Sequence, residues 1–190
     1  MKRTVSLFLV LMILCSVCAA GAERFYIREN IRWGMSNAKV QHYEGKAKLH
    51  KPKDGLKWLE YKNIKVSGYK MNLDYYFSDN KLVTARYIKN YKRKKLEDAA
   101  KAQQKLVAEY KEKYGEPVED NAGYKTVGSV IYAYARLQGY RISKEKCIEA
   151  AKKLTAWLLD DTVIYMTDGY DRNTDLLSIV IWYMDRNMGK

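Results

Sequence analysis

The chain has 190 residues, 35 Lys or Arg against 22 Asp or Glu, and 47% apolar side chains, enough to bury a sizeable core in one domain or two small ones. Two of its three cysteines fall within the first 18 residues, which excludes a disulfide framework from the remainder. Stability must come from packing.

Residues 1–22 read as a secretory signal peptide. Met1-Lys2-Arg3 is a basic start, Thr4 to Val17 an apolar run, and Ala20-Gly21-Ala22 the small-x-small box that precedes cleavage, leaving Glu23 first. The apolar run is shorter than the roughly 20 residues that span a bilayer core, which disfavours an uncleaved anchor. Bulky residues just ahead of Cys15 and Cys18 disfavour a lipidated cysteine as well. The expected product is a periplasmic or secreted protein, residues 23–190, without a transmembrane helix. It forms a single α+β domain, with 31–91 and 143–184 as candidate α-β sub-units.

Ser36 suits a helix N-cap, with Met35 and Val40 placed to close as a hydrophobic staple and Gly45 as the stop. Lys46 to Gly55, with Pro52 and Asp54-Gly55, reads as a basic loop. Three strands follow, Trp58 to Val66, Tyr69 to Ser78 and Leu82 to Tyr91. Asp79-Asn80 supplies a tight turn, because both residues tolerate positive φ. A two-residue turn puts Met71, Leu73, Tyr75 and Phe77 on one face with Leu82 and Ile88, and Lys70, Tyr76, Tyr87 and Lys89 on the other. Arg86 then falls on the apolar face, which calls for a bulge or a longer turn.

Lys92-Arg93-Lys94-Lys95 precedes a helix in which Leu96, Ala99, Ala100, Gln103, Val107, Tyr110 and Tyr114 follow helical spacing, ended by Gly115 and Pro117. Four cations there oppose the helix dipole and mark a place for something anionic to dock. A second helix runs from about Thr126 to Gln138. A third starts at Ser143 and turns Cys147, Ile148, Ala151 and Leu154 inward, making Cys147 a core residue. Two strands close the chain, about Ala156 to Met166 and Leu176 to Met184. The order α-β-β-β-α-α-α-β-β predicts an antiparallel sheet of about five strands packed on one face by helices.

The turn and helix at Gly34-Met35-Ser36, Val40 and Gly45, followed by the hairpin Tyr75-Tyr-Phe-Ser-Asp-Asn-Lys-Leu82, resemble the small periplasmic proteins related to the outer-membrane assembly lipoprotein BamE. That group shares a helix-then-antiparallel-sheet fold with the β-lactamase inhibitor protein. The resemblance covers Ile31 to Ile88 and departs from the family at Lys46-Ala47, where a Pro is usual. It implies a non-enzymatic, envelope-located, protein-binding module.

No catalytic motif stands out. His42 and His50 do not make a zinc motif, no Ser lies in a GxSxG elbow, and no Gly-rich phosphate loop is present. Asp171-x-Asn173-x-Asp175 has the first spacing of a calcium loop. Leu176 stands where its Gly belongs and Trp182 where its Glu belongs, so a hairpin loop is expected and no metal or cofactor.

Charge is the stronger signal. Between Lys46 and Lys95 there are 15 Lys or Arg against Asp54, Glu60, Asp74 and Asp79, a surplus of 11. Such crowding attracts polyanions or anionic headgroups, although a solvated lysine-rich face is the plainer reading. The 17 tyrosines exceed what a core needs and can contact partners. The residues expected to bind are therefore Lys70, Lys89, Lys92, Arg93, Lys94, Lys95, Tyr76 and Tyr87. The expected function is an exported, non-catalytic binding module of the cell envelope or extracellular space. Its partner is a protein or an anionic component such as a lipid headgroup or cell-wall polymer, rather than nucleic acid. The alternatives are a secreted hydrolase, or an inhibitor-like protein that blocks a partner.

Overall fold

The computed structural model describes residues 27–188, so the signal peptide expected at residues 1–22 lies outside the described residues. Their elements are α1 (Asn37–Glu44), β1 (Lys48–His50), β2 (Lys57–Val66), β3 (Tyr69–Ser78), β4 (Lys81–Lys92), α2 (Leu96–Tyr114), α3 (Asn121–Leu137), α4 (Lys144–Ala151), β5 (Thr155–Leu158), β6 (Thr162–Asp171) and β7 (Leu176–Asp185). A 3-10 turn over Arg93–Lys95 leads into α2.

The class is α+β, with one antiparallel sheet of seven strands in the order β1-β2-β3-β4-β7-β6-β5. Seven replace about five for two local reasons. Lys48–His50 leaves the basic loop to pair with Trp58–Glu60. Leu159 to Asp161 then interrupts the expected last-but-one strand, so Thr155–Leu158 turns back on Val163–Met166. The central pairing, β4 with β7, runs over nine positions and joins the two halves of the chain.

The helices start and stop where local chemistry dictates. Ser36 and Ser143 accept from the backbone N–H of Lys39 and Lys146, each at 3.3 Å. Asp120 caps α3 at 2.6 Å from the Gly123 nitrogen, so that helix begins earlier than Thr126. Asp79 and Asn80 take φ of 46° and 60° in the β3–β4 turn.

The sheet is covered on both faces, which corrects the one-face expectation. Leu73, Tyr75, Tyr87, Ile164, Ile181 and Tyr183 pack under α1 and α2, with Val40, Ala102, Leu106 and Tyr110. Tyr76, Val83, Val163, Tyr165 and Met184 pack under α3 and α4, with Val127, Val130 and Ala151. Asp74 to Phe77 and Thr162 to Met166 are buried without a break, as strands between two layers must be. We call these the α1/α2 face and the α3/α4 face.

Phe77 pairs with Leu82 but Tyr76 pairs with Thr84, leaving Val83 as the extra residue of a β-bulge. Beyond it the parity of β4 reverses. Tyr87 joins Leu73 and Tyr75 on the α1/α2 face, and Arg86 moves to the α3/α4 face opposite Asp74.

Candidate functional site

The bulge at Val83 also separates the residues expected to bind. Tyr76 and Tyr87 are 5% and 2% exposed, on opposite faces of the sheet, so neither ring joins a surface patch. Alternation places Lys70 and Lys92 on the α3/α4 face and Lys89 on the other, its ammonium 5.5 Å from the Tyr91 ring centroid. The Arg93 guanidinium sits 5.9 Å from the Tyr170 ring centroid, Lys95 is 3.6 Å from Asp98, and Lys94 is exposed on the same turn. The single basic face expected from a simple hairpin is thus divided between two faces and the 3-10 turn.

What remains together lies on the part of the α3/α4 face that the helices leave open. Three cross-strand rows define it. The row Asp74–Arg86–Trp182–Tyr165 is its inner margin, Asn72–Ile88–Val180–Thr167 its middle, and Asn90–Ser178–Gly169 its outer row. Asn72, Asn90 and Gly169 are exposed, while Ile88, Val180, Thr167 and Ser178 are half-buried. At one side of these rows Lys65 stands directly opposite Lys70 on the paired strands β2 and β3. Among the described residues Lys65, Lys70 and Lys92 have no ion-pair partner, whereas Lys62 lies 3.7 Å from Glu60. Lys65 is a binding candidate that the sequence reading missed. Its signal was the Ser67-Gly68 turn, which puts residues 65 and 70 in register.

The inner margin is firmly built. The Arg86 guanidinium donates to Asp74 Oδ2 from Nη2 at 2.6 Å and lies 5.3 Å and 5.1 Å from the ring centroids of Tyr76 and Trp182. Tyr134 of α3 packs edge-on against both rings. Burial disfavours the guanidinium's charge, but Tyr76 and Asp74 outweigh it and Arg86 stays cationic.

On the α1/α2 face a second polar group is built around Glu44 at the end of α1. Its Oε1 accepts from Arg28 Nε and from the Tyr75 hydroxyl, both at 2.7 Å. Tyr61 donates to the Gly45 carbonyl at 2.9 Å, and burial with the nearby Glu44 charge pushes its phenol up to about 12. The Tyr110 and Tyr183 hydroxyls bond to each other.

The candidate catalytic groups do not converge. His42 is exposed on α1, and His50 stacks on Trp58 at 4.5 Å with Nε2 3.5 Å from Glu60. Cys147 is 1% exposed, and burial raises its thiol pKa. Asp171 spends its carboxylate on the Asn173 amide and the Thr174 hydroxyl, at 2.9 Å and 2.7 Å, within the β6–β7 turn. Among the described residues no group of three or more His, Cys, Asp or Glu could hold a metal, and no helix is long and apolar enough to cross a membrane.

No protein-family model matches the chain, and neither curated proteins nor solved structures include a match to it.

Proposed function

We propose that this protein is an exported, non-catalytic binding module of the cell envelope or extracellular space, and that the open part of its α3/α4 face docks an acidic protein surface. The leader at residues 1–22 supports export. The observation that carries the binding reading is Lys65 placed directly across from Lys70, with no ion-pair partner for either among the described residues. Like charges at directly opposed cross-strand positions destabilise a sheet, so the pair makes physical sense when a partner supplies the negative charge. The half-buried pair Ile88 and Val180 beside those cations gives the surface an apolar centre and a charged rim, the composition of a protein interface.

The test is capture of envelope proteins by the protein processed after Ala22 and by its Lys65→Glu/Lys70→Glu variant, at low and high salt. The reading expects an acidic protein retained at low salt, released at high salt and lost in the variant. Retention of the same proteins by the variant would overturn it. Sedimentation with anionic and neutral vesicles is the second arm, and variant-sensitive binding to anionic vesicles alone would replace the protein partner with a membrane surface.

A further inference from the structure

We propose that the cleft between the C-terminal turns of α2, strands β4 and β7 and the segment at Ile27-Arg28 is a second binding site, which takes a compact oxyanion, the carboxylate or phosphate group of a small ligand. Its volume is ≈ 280 Å³, and Arg28, Tyr87, Tyr110, Lys113 and Tyr183 are among its walls. That is close to the lower limit of about 300 Å³ for small-molecule pockets. The site lies on the α1/α2 face, and Lys65, which borders the open sheet surface, also lines it at the end of β2.

Two observations give the cleft its chemistry. The first is a floor of phenols. Tyr87, Tyr110 and Tyr183 are 2%, 6% and 5% exposed, and all three bring a hydroxyl to a place where phenylalanine would fill the core without the cost of burying a polar group. Burial holds all three phenols above the ordinary tyrosine range, so they stay protonated; Tyr87, and Tyr110 when it accepts from Tyr183, can donate to an anion instead of repelling it.

The second is a charge balance that favours an anion. Glu44 is bound by Arg28 and Tyr75, and Glu109, which also lines the cleft, is 3.6 Å from Lys105. Both nearby carboxylates are therefore offset. Lys113 has no ion-pair partner among the described residues, although Glu109 lies one turn earlier on α2; its ammonium rests 5.0 Å from the Tyr114 ring centroid. The Arg28 side chain is 33% exposed and has five N–H donors, more than its bonds to Glu44 and Tyr87 use. A guanidinium and an ammonium over a floor of phenolic donors suit an oxyanion, whose oxygens accept several charge-assisted hydrogen bonds at once.

The experiment titrates the protein processed after Ala22 with inorganic phosphate and with glucuronate, at constant ionic strength, and follows backbone amide shifts. Glucose serves as the neutral control. The proposal expects saturable shifts centred on Arg28, Tyr87 and Lys113, with an affinity that falls roughly tenfold in Tyr110→Phe and in Lys113→Ala, as loss of one hydrogen bond to a charged group implies. Lys70→Ala, which changes the open sheet surface but not the lining of the cleft, should bind as well as the parent. Binding of one anion and not the other identifies the source of the group. The proposal is overturned if neither anion saturates, if Lys113→Ala binds as tightly as the parent, or if Lys70→Ala loses binding. Should Tyr110→Phe fail to fold, Lys113→Ala decides, because that side chain is exposed on α2.

Discussion

Asp74 and Arg86 face each other across β3 and β4, carboxylate to guanidinium at 2.6 Å, with the guanidinium lying over both the Tyr76 and Trp182 rings. Asp74 is 5% exposed, and Arg86 is its ion-pair partner. Asp74→Ala should cost about 2–4 kcal/mol, because it strands a largely buried cation; the lower part of that range reflects the 29% exposure of the Arg86 side chain. Asp74→Ala/Arg86→Met should recover much of that loss, since an apolar side chain can pack over the two rings. Urea denaturation of the parent, the single variants and the double variant measures the coupling. Additive single effects would mean that the pair contributes no interaction energy.

Thr84, next to the bulge on β4, is fully buried, and its hydroxyl has no hydrogen-bond partner among the described residues. An unsatisfied buried hydroxyl costs on the order of 1–3 kcal/mol, so Thr84→Val, which keeps the shape, should stabilise the fold by about 1 kcal/mol. A raised denaturation midpoint with an unchanged slope is the expected result.

Helices α3 and α4 meet at Gly128. A Cβ there would lie 2.5 Å from Ile148 Cα and 2.7 Å from its nitrogen, which are backbone atoms that cannot step aside alone. Gly128→Ala should therefore destabilise the protein by about 1–3 kcal/mol despite alanine's better helix propensity. A thermal midpoint at or above the parent's would show that the two helices separate easily.

Burial raises the pKa values of Tyr61, Tyr75, Tyr87, Tyr110, Tyr134, Tyr165 and Tyr183, with Tyr61 and Tyr134 each at about 12. In the unfolded chain a phenol ionises near 10. Above that pH the unfolded state binds fewer protons than the folded one, so stability falls as pH rises. The contribution is complete below about pH 10 and is lost as pH climbs through the folded values. Absorbance of ionised tyrosine near 295 nm should show these groups appearing together with loss of tertiary circular dichroism, not ahead of it.

Lys65→Glu exchanges a like-charged cross-strand pair for an opposite-charged one. It should raise stability by about 0.2–1 kcal/mol while weakening association with an acidic partner. Equilibrium denaturation and salt-dependent capture read the two effects separately, and opposite signs are expected.

Several elements were legible in the residues alone because their determinants are local. Ser36, Ser143, Gly45 and Gly115 mark helix ends through single hydrogen bonds or a positive φ, and Asp79-Asn80 makes the turn its composition implies. The antiparallel α+β class follows from such local signals taken in order. The burial of Cys147 follows from its place on the inward stripe of α4.

Which face each side chain occupies is a different kind of question. One inserted residue, Val83, reverses the parity of β4, and whether the chain bulges there depends on Arg86 finding Asp74 and two aromatic rings across the sheet. That choice separates Tyr87 and Lys89 from Tyr76 and Lys70, so a basic face read from alternation could not survive it. The cleft is further from view in the sequence, because Arg28, Tyr87, Tyr110 and Tyr183 lie on four separate segments that only the β4–β7 pairing and the packing of α2 bring together. Local hydrogen bonds and backbone preferences determine where elements begin and end. Register and layer contacts, which join residues as distant in the chain as Thr84 with Met184 and Trp33 with Thr162, decide what those elements present to a partner.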